Sequence, residues 1–323
     1  MDGEQKIPVV VIFAPTACGK TALAREIFGS GSLFGFKGMG EVVSADSQAV
    51  YRHLDIGTAK PSLEERTELP HHLVDIVSPD RQFGVGDFLE LADSSCREIH
   101  SRGKIPIVLG GTGFYIRSFI LGLPPTPISD PEQREKIKKR LELEGNSALF
   151  HELKKVDPVY AKKISPHDGY RICRALEVYY ATGKNLSSFE LSEKPRPGYT
   201  FCTIILTRDR DELFARIDGR VDKMFADGLE NEVESLKSMG LTKDSPAMKA
   251  IGYREFFDDE KRDSDSIRSL IKFNTRRYAK KQYTFMRGIP GAVEINADDT
   301  DAVVDTIRDF LNQHSVFLPN FCR

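Results

Sequence analysis

Val9-Val10-Val11-Ile12-Phe13-Ala14-Pro15-Thr16-Ala17-Cys18-Gly19-Lys20-Thr21 is the stretch on which the fold turns. Its five opening apolar residues read as a strand, and an amphipathic segment begins at Ala22. The residues between them form a strand-to-helix turn. In such a turn successive backbone N–H groups and the helix N-terminus converge on an anion, and Lys20 adds a point charge. The Thr21 hydroxyl is placed to bind a metal carried by phosphates. Ala14 stands where the phosphate-loop pattern has its first glycine, whereas Gly19, Lys20 and Thr21 keep its other required positions. The implied ligand is a di- or triphosphate, held by Ala14, Pro15, Thr16, Ala17, Cys18, Gly19, Lys20 and Thr21.

Kinases, ATP- and GTP-hydrolysing enzymes and transferases with a diphosphate leaving group share this cradle, so other residues must separate them. Glu41-Val42-Val43-Ser44-Ala45-Asp46 reads as a short strand that delivers Asp46 to its C-terminal end. Ile105-Pro106-Ile107-Val108-Leu109-Gly110-Gly111-Thr112 repeats the plan of apolar strand and glycine turn. Ligands bind at that edge of an open parallel sheet, so Asp46 and Thr112 are predicted to face the same crevice as Lys20.

Together with Leu54-Asp55-Ile56-Gly57-Thr58-Ala59-Lys60-Pro61 and Leu69-Pro70-His71-His72-Leu73-Val74-Asp75-Ile76, these strings resemble the tRNA dimethylallyltransferase family. Arg171-Ile172-Cys173-Arg174-Ala175-Leu176-Glu177-Val178, Ala250-Ile251-Gly252-Tyr253-Arg254-Glu255 and Thr275-Arg276-Arg277-Tyr278-Ala279-Lys280-Lys281-Gln282 extend the likeness, in the family's order, over nearly the whole chain. The resemblance implies transfer of a dimethylallyl group from dimethylallyl diphosphate to the exocyclic amine of the adenosine 3′ of the anticodon in tRNA. Lys20, the loop N–H groups and Mg2+ would then stabilise the departing diphosphate. An adenine amine is a weak nucleophile, and Asp46 is the candidate acceptor of its proton. The plainer reading of Asp46 is a cap or ion-pair partner.

Thr16 and Thr112 read either as hydroxyls that satisfy a glycine turn or, by the resemblance, as neighbours of the substrate. Arg208, Arg216 and Arg220 follow the strand Phe201–Leu206, the last two on one helical face; nearby acids such as Asp211 and Glu212 offer them ordinary ion pairs. By resemblance Arg220 reaches the diphosphate, which makes Asp46, Thr16 and Arg220 the catalytic set. The resemblance also implies an RNA surface of Asp46, Ser47, Gln48, Ala49, Thr112, Arg134, Tyr170, Arg171, Arg174, Lys249, Gly252, Tyr253, Arg254, Arg276, Arg277, Lys280 and Lys281.

A net charge of −2 says little about an anionic partner. Between Leu270 and Ile289, however, Lys272, Arg276, Arg277, Lys280, Lys281 and Arg287 occur with no acid among them. Interleaved Phe273, Tyr278, Tyr283 and Phe285 make this a basic amphipathic helix, which suits either RNA or plain solvent over a core stripe. The polar start lacks a signal peptide, and no apolar run has transmembrane length. Five cysteines, Cys18, Cys96, Cys173, Cys202 and Cys322, show no metal spacing, so a reducing compartment, the cytoplasm, is expected. A helix N-terminus lowers a thiol pKa, which offers Cys18 a redox role beside its plainer one as a tolerated loop residue. No membrane partner is expected, and a monomer is.

Punctuation divides the chain. Residues 1–123 alternate strands and helices, Leu123-Pro124-Pro125-Thr126-Pro127 breaks the pattern, and residues 124–198 read as an inserted helical domain; the resemblance implies that this domain binds tRNA, through Arg171 and Arg174 on a helix started by Asp168. Residues 199–323 complete the core and end in the basic helical region. The fold class is α/β, a P-loop NTPase-like parallel sheet with an inserted helical domain. The glycine-rich loop from Gly29 to Gly40 has no explanation in the sequence. Phe285 stands where the family has a Trp, a residue this chain lacks. Rival readings are a nucleotide kinase, a prenyltransferase acting on free AMP or ADP, and a non-catalytic RNA-binding module.

Overall fold

The computed structural model of this protein describes residues 6–127, 130–189, 192–257 and 262–314; Cys322 lies outside them. β1 (Ile7–Phe13), β2 (Gly40–Ala45), β3 (His71–His72), β4 (Ile105–Gly110), β5 (Tyr199–Thr207) and β6 (Val293–Asn296) form one parallel sheet in the order β3-β2-β4-β1-β5-β6. β1 is central, and Val9 to Phe13 have no exposed surface, as expected of a strand covered on both sides. The unanticipated strands are edges. β3 is two histidines, and β6 buries only Ile295 of its four residues, so neither carries an apolar run.

The chain divides into two compact units, residues 1–120 with 196–323, and residues 121–195. In the first, α1 (Lys20–Phe28), α2 (Leu63–Glu68), α3 (Val85–Ser101) and α4 (Gly113–Leu121) alternate with the strands. α1 begins at Lys20, two residues before Ala22, so Lys20 and Thr21 belong to its first turn. The glycine-rich loop after α1 is pinned by Phe36, wholly buried with its ring centroid 5.5 Å from that of Phe28, while Leu33 is 95% exposed.

The second unit holds α5 (Pro131–Val156), α6 (Pro158–Ala161) and α7 (Gly169–Thr182). Gly145 breaks α5 with φ 79°, ψ 166°, outside the helical region. Ile137, Leu149, Phe150 and Leu153 pack on Ile172, Ala175 and Leu176 of α7, whose N-cap Asp168 accepts from Arg171 N. In the first unit the chain continues as α8 (Arg210–Ala226), α9 (Leu229–Ser238), α10 (Ser264–Met286) and α11 (Thr300–Gln313). No helix among the described residues is long and apolar enough to cross a membrane.

Candidate active site

The loop from Ala14 to Gly19 leaves the C-terminal end of β1 with Ala17 at φ 63° and Gly19 at φ 105°, both left-handed. Gly19 caps α1 without a side-chain hydrogen bond, so the first-turn N–H groups face outward with no capping group. Ala14, Pro15 and Cys18 are buried behind the loop. The Cys18 thiol donates to Leu206 O, and burial pushes its pKa up despite Arg208 and Lys20 nearby. Desolvation thus outweighs the nearby cations, and the buried thiol sits as a packing group, in line with the plainer reading of Cys18 as a tolerated loop residue.

Gln282 closes the string Thr275 to Gln282, but the sequence assigns it no role. Its Oε1 accepts from Thr16 N at 3.0 Å and its Nε2 donates to Gly111 O at 2.6 Å, so one buried amide ties α10 to both the phosphate loop and the second glycine turn. A carboxylate cannot serve a donor and an acceptor together. The one available signal is an amide on the apolar face of a basic helix.

Thr16, Lys20, Asp46, Gln48, Thr112 and Arg220 line one cavity of about 310 Å3. Asp46 Oδ1 accepts from Gln48 N at 2.9 Å and Ala49 N at 3.3 Å and so closes the turn that follows β2, where no helix begins; Oδ2 accepts no hydrogen bond among the described residues. One oxygen of Asp46 is thus engaged by the backbone and the other has no protein donor among the described residues. Ser47 N donates to Thr112 Oγ1 at 3.0 Å, and Gln48 Oε1 is buried without a partner among the described residues.

Arg220 donates to Thr16 Oγ1 at 3.4 Å and Thr58 O at 3.2 Å, and Lys20 makes no hydrogen bond or ion pair among the described residues. Burial pulls the Lys20 pKa down; Asp46 opposes this and Arg220 adds to it. Burial weighs on the Arg220 charge too, again opposed by Asp46. Asp46 is the only acid among the described lining residues, so the enclosure holds more positive than negative charge. Such a space favours an anion. Met224, Ala250, Ile251 and Ile271 supply an apolar wall, and Tyr278 is pushed up to about 12 by burial and by Asp46, so its phenol stays protonated.

Lys249, Gly252 and Arg254 line the same cavity. Tyr253 is a correction: it is completely buried and its hydroxyl donates to Glu232 at 2.6 Å, so its side chain is not available to RNA. The Ala49 side chain is likewise buried. Arg208 is paired with Asp298 at 2.7 Å and donates to Cys18 O, while Arg216 donates to Ala17 O at 2.9 Å and is exposed. On α10, Arg276 is held by Asp218 at 2.9 Å and Lys272 by Asp222 at 2.6 Å. Arg277, Lys280 and Lys281 are exposed, with Arg277 5.6 Å over the Phe273 ring. Phe285 packs where a Cβ on Gly113 would lie 2.5 Å from its ring, so an aromatic survives there in place of the Trp. In the second unit, Arg134, Tyr170 and Arg171 are exposed, whereas Arg174 is half-buried on Glu177 at 2.7 Å and Pro127 O at 2.8 Å.

Residues 49–289 match the family model for IPP transferase. The tRNA dimethylallyltransferase of Acetivibrio thermocellus is 42% identical over 317 residues, 96% of this chain and 99% of that protein. The tRNA dimethylallyltransferase of Thermomicrobium roseum is 44% identical over 285 residues, 87% of this chain and 83% of that one. Among solved structures, the full-length tRNA isopentenylpyrophosphate transferase of Bacillus halodurans matches with a TM-score of 0.69 at 34% identity, covering 96% of this chain and 98% of that one. A eukaryotic dimethylallyltransferase acting on tRNA matches with a TM-score of 0.79 at 28% identity, covering 95% and 80%. The sheet, the phosphate loop and these likenesses agree, and the chain belongs to the tRNA dimethylallyltransferase family.

Proposed function

We propose that this protein transfers a dimethylallyl group from dimethylallyl diphosphate to N6 of the adenosine 3′ of the anticodon in tRNA, releasing diphosphate. The observation that carries this reading is the cavity in which Lys20 and Arg220, neither in an ion pair among the described residues, share an enclosed space with Asp46, the one carboxylate among the described lining residues. The amine attacks the terminal allylic carbon, the carbon–oxygen bond breaks, and diphosphate leaves with the bonding pair. Asp46 Oδ2 takes the proton from nitrogen, while Oδ1 stays held by the backbone. Lys20, Arg220 and the N–H groups of the loop face the charge that develops on the leaving oxygen. The apolar wall of Met224, Ile251 and Ile271 suits a five-carbon chain.

No cluster of three His, Cys, Asp or Glu that could hold a metal occurs among the described residues. The Thr21 hydroxyl, with no hydrogen bond among them, fits Mg2+, an ion that takes few protein ligands and arrives on phosphate oxygens. When bound, that ion adds positive charge beside the leaving group. We place the enzyme in the cytoplasm as a monomer, in a reducing compartment that keeps thiols such as Cys18, Cys96, Cys173 and Cys202 free.

The test is incubation with labelled dimethylallyl diphosphate, Mg2+ and either bulk tRNA or AMP. Label is expected in tRNA alone. Label in AMP would favour the free-nucleotide reading, and label in neither would sink the transferase reading.

For RNA, the proposed contacts in the first unit are the cavity rim, from Asp46 through Ala49 with Thr112, Lys249, Gly252 and Arg254, and exposed Arg277, Lys280 and Lys281; the second unit, taken by itself, offers Arg134, Tyr170, Arg171 and Arg174. The target base has to leave its stack to reach an enclosed carboxylate. Reversing Lys280 and Lys281 to Glu is expected to weaken tRNA binding and lower its salt slope by roughly 0.7 to 0.9 for each phosphate that is no longer neutralised. Affinity for dimethylallyl diphosphate is expected to change little, because neither lysine lines the cavity. Binding titrations across salt concentration check this; an unaltered slope returns the helix to a solvated face.

A further inference from the structure

Arg220 is placed by a backbone carbonyl, and that carbonyl belongs to a loop with an unusual anchor. The Glu232 carboxylate receives four hydrogen bonds: Oε2 from Asp55 N at 2.9 Å and Ile56 N at 2.8 Å, Oε1 from Gly57 N at 3.1 Å and the Tyr253 hydroxyl at 2.6 Å. Three successive N–H groups converging on one anion form the kind of concavity that elsewhere binds phosphate. Here the anion is a side chain of α9, and it makes no ion pair among the described residues. Its acceptor capacity is directed wholly to the loop and to the tyrosine that braces it. The next residue in the loop, Thr58, then presents its carbonyl to Arg220 Nη2 at 3.2 Å.

The fit from the other side is equally close. A Cβ on Gly57 would lie 2.5 Å from Tyr253 Cζ, and one on Gly252, at φ 100°, would lie 3.2 Å from Gly57 O. Burial and the neighbouring carboxylate keep the Tyr253 phenol protonated, hence a donor. Only an ionised carboxylate meets these four donors without bringing a donor of its own.

We infer that Glu232 is a positioning residue of the transfer reaction, which through residues 55–57 and the Thr58 carbonyl sets the Arg220 guanidinium in the diphosphate site. The inference rests on the proposed role of Arg220. In Glu232→Gln an amide N–H group faces backbone N–H groups, the loop shifts, and Arg220 loses the Thr58 carbonyl as a fixed acceptor, keeping only Thr16 Oγ1.

Glu232→Gln is expected to weaken binding of inorganic diphosphate by roughly tenfold and to lower kcat/KM for dimethylallyl diphosphate by roughly tenfold to a hundredfold, with KM raised and tRNA affinity unchanged. A merely structural defect would lower the amount of active enzyme and leave KM alone. The decisive measurement is a cycle with Arg220→Ala. In that background Glu232→Gln is expected to add less than about threefold, because the residue it positions is gone. Fully multiplicative losses, or a Glu232→Gln variant that matches wild type in both assays, would overturn the inference. Tyr253→Phe keeps the ring and removes only the hydroxyl on Glu232. It is expected to move the same two quantities in the same direction by a smaller factor, and no change in either overturns the inference even if Glu232→Gln does not fold. Wild-type protein that binds diphosphate but does not prenylate tRNA would count against the proposed function instead, since the diphosphate cycle can still be read.

Discussion

Asp46→Asn is expected to lower the single-turnover rate of prenyl transfer by roughly two to four orders of magnitude while the protein remains folded and binds tRNA. The asparagine oxygen can still accept from Gln48 N and Ala49 N, which Asp46 Oδ1 now holds at 2.9 and 3.3 Å, so the local turn is preserved. What disappears is the second oxygen, which has no protein donor among the described residues and belongs to the one carboxylate among the described lining residues. The charge also disappears. Asp46 is what supports the protonated state of Lys20 and the charge of Arg220 against burial, and without it the two cations have no counter-charge among the described lining residues. Below the pH at which Lys20 loses its proton, diphosphate should bind the variant at least as tightly as wild type, because a like charge has gone, while chemistry fails. A variant that transfers at the wild-type rate removes Asp46 from the mechanism. Parallel losses of tRNA affinity, diphosphate affinity and rate would reduce it to a residue that closes the turn.

That separation of roles shows what a sequence can and cannot disclose here. The buried run Val9 to Phe13, the turn to Lys20 and the second glycine turn at Gly110 and Gly111 are legible because each is local: composition and spacing over a few residues carry the information. Asp46, Thr112 and Lys20 meet in one cavity because all three leave strand ends on the same edge of a parallel sheet. The edge strands β3 and β6 escape such a reading because their neighbours, rather than their own residues, make them strands. Gln282 and Glu232 escape it for a stronger reason. Each serves backbone groups more than 170 residues away, and a backbone amide has no signature in its own side chain. The same blindness puts Tyr253 on the RNA surface, although its hydroxyl faces Glu232 in the interior. In the other direction, Arg276 and Lys272 read as free cations in a strip without acids, whereas Asp218 and Asp222 reach them from α8.

Lys20→Ala is expected to cost on the order of a hundredfold to a thousandfold in kcat, the range for loss of one preorganised group at a developing charge. The size follows from its surroundings. Lys20 has no protein partner to fall back on among the described residues, and burial has already pulled its pKa below the usual lysine range, so its positive charge is held mainly for an incoming anion. A further consequence is a pH dependence with a defined sign. In the free enzyme Lys20 loses its proton at lower pH than an ordinary lysine, so affinity for diphosphate falls as pH rises through that lowered pKa. Bound diphosphate, being anionic, favours the protonated form and shifts the same transition upward. Titration calorimetry with inorganic diphosphate across neutral to alkaline pH should show wild-type affinity declining with proton uptake on binding. In Lys20→Ala the affinity should be weak throughout, with no decline of that origin. Arg220 has two neutral acceptors, Thr16 Oγ1 and Thr58 O, and stays charged over this range, so it supplies the residual affinity in the variant. If Lys20→Ala bound diphosphate with wild-type strength and kept the alkaline decline, the leaving group would have to sit away from the first turn of α1. The phosphate-loop assignment, and with it the placement of Thr21, would then be lost.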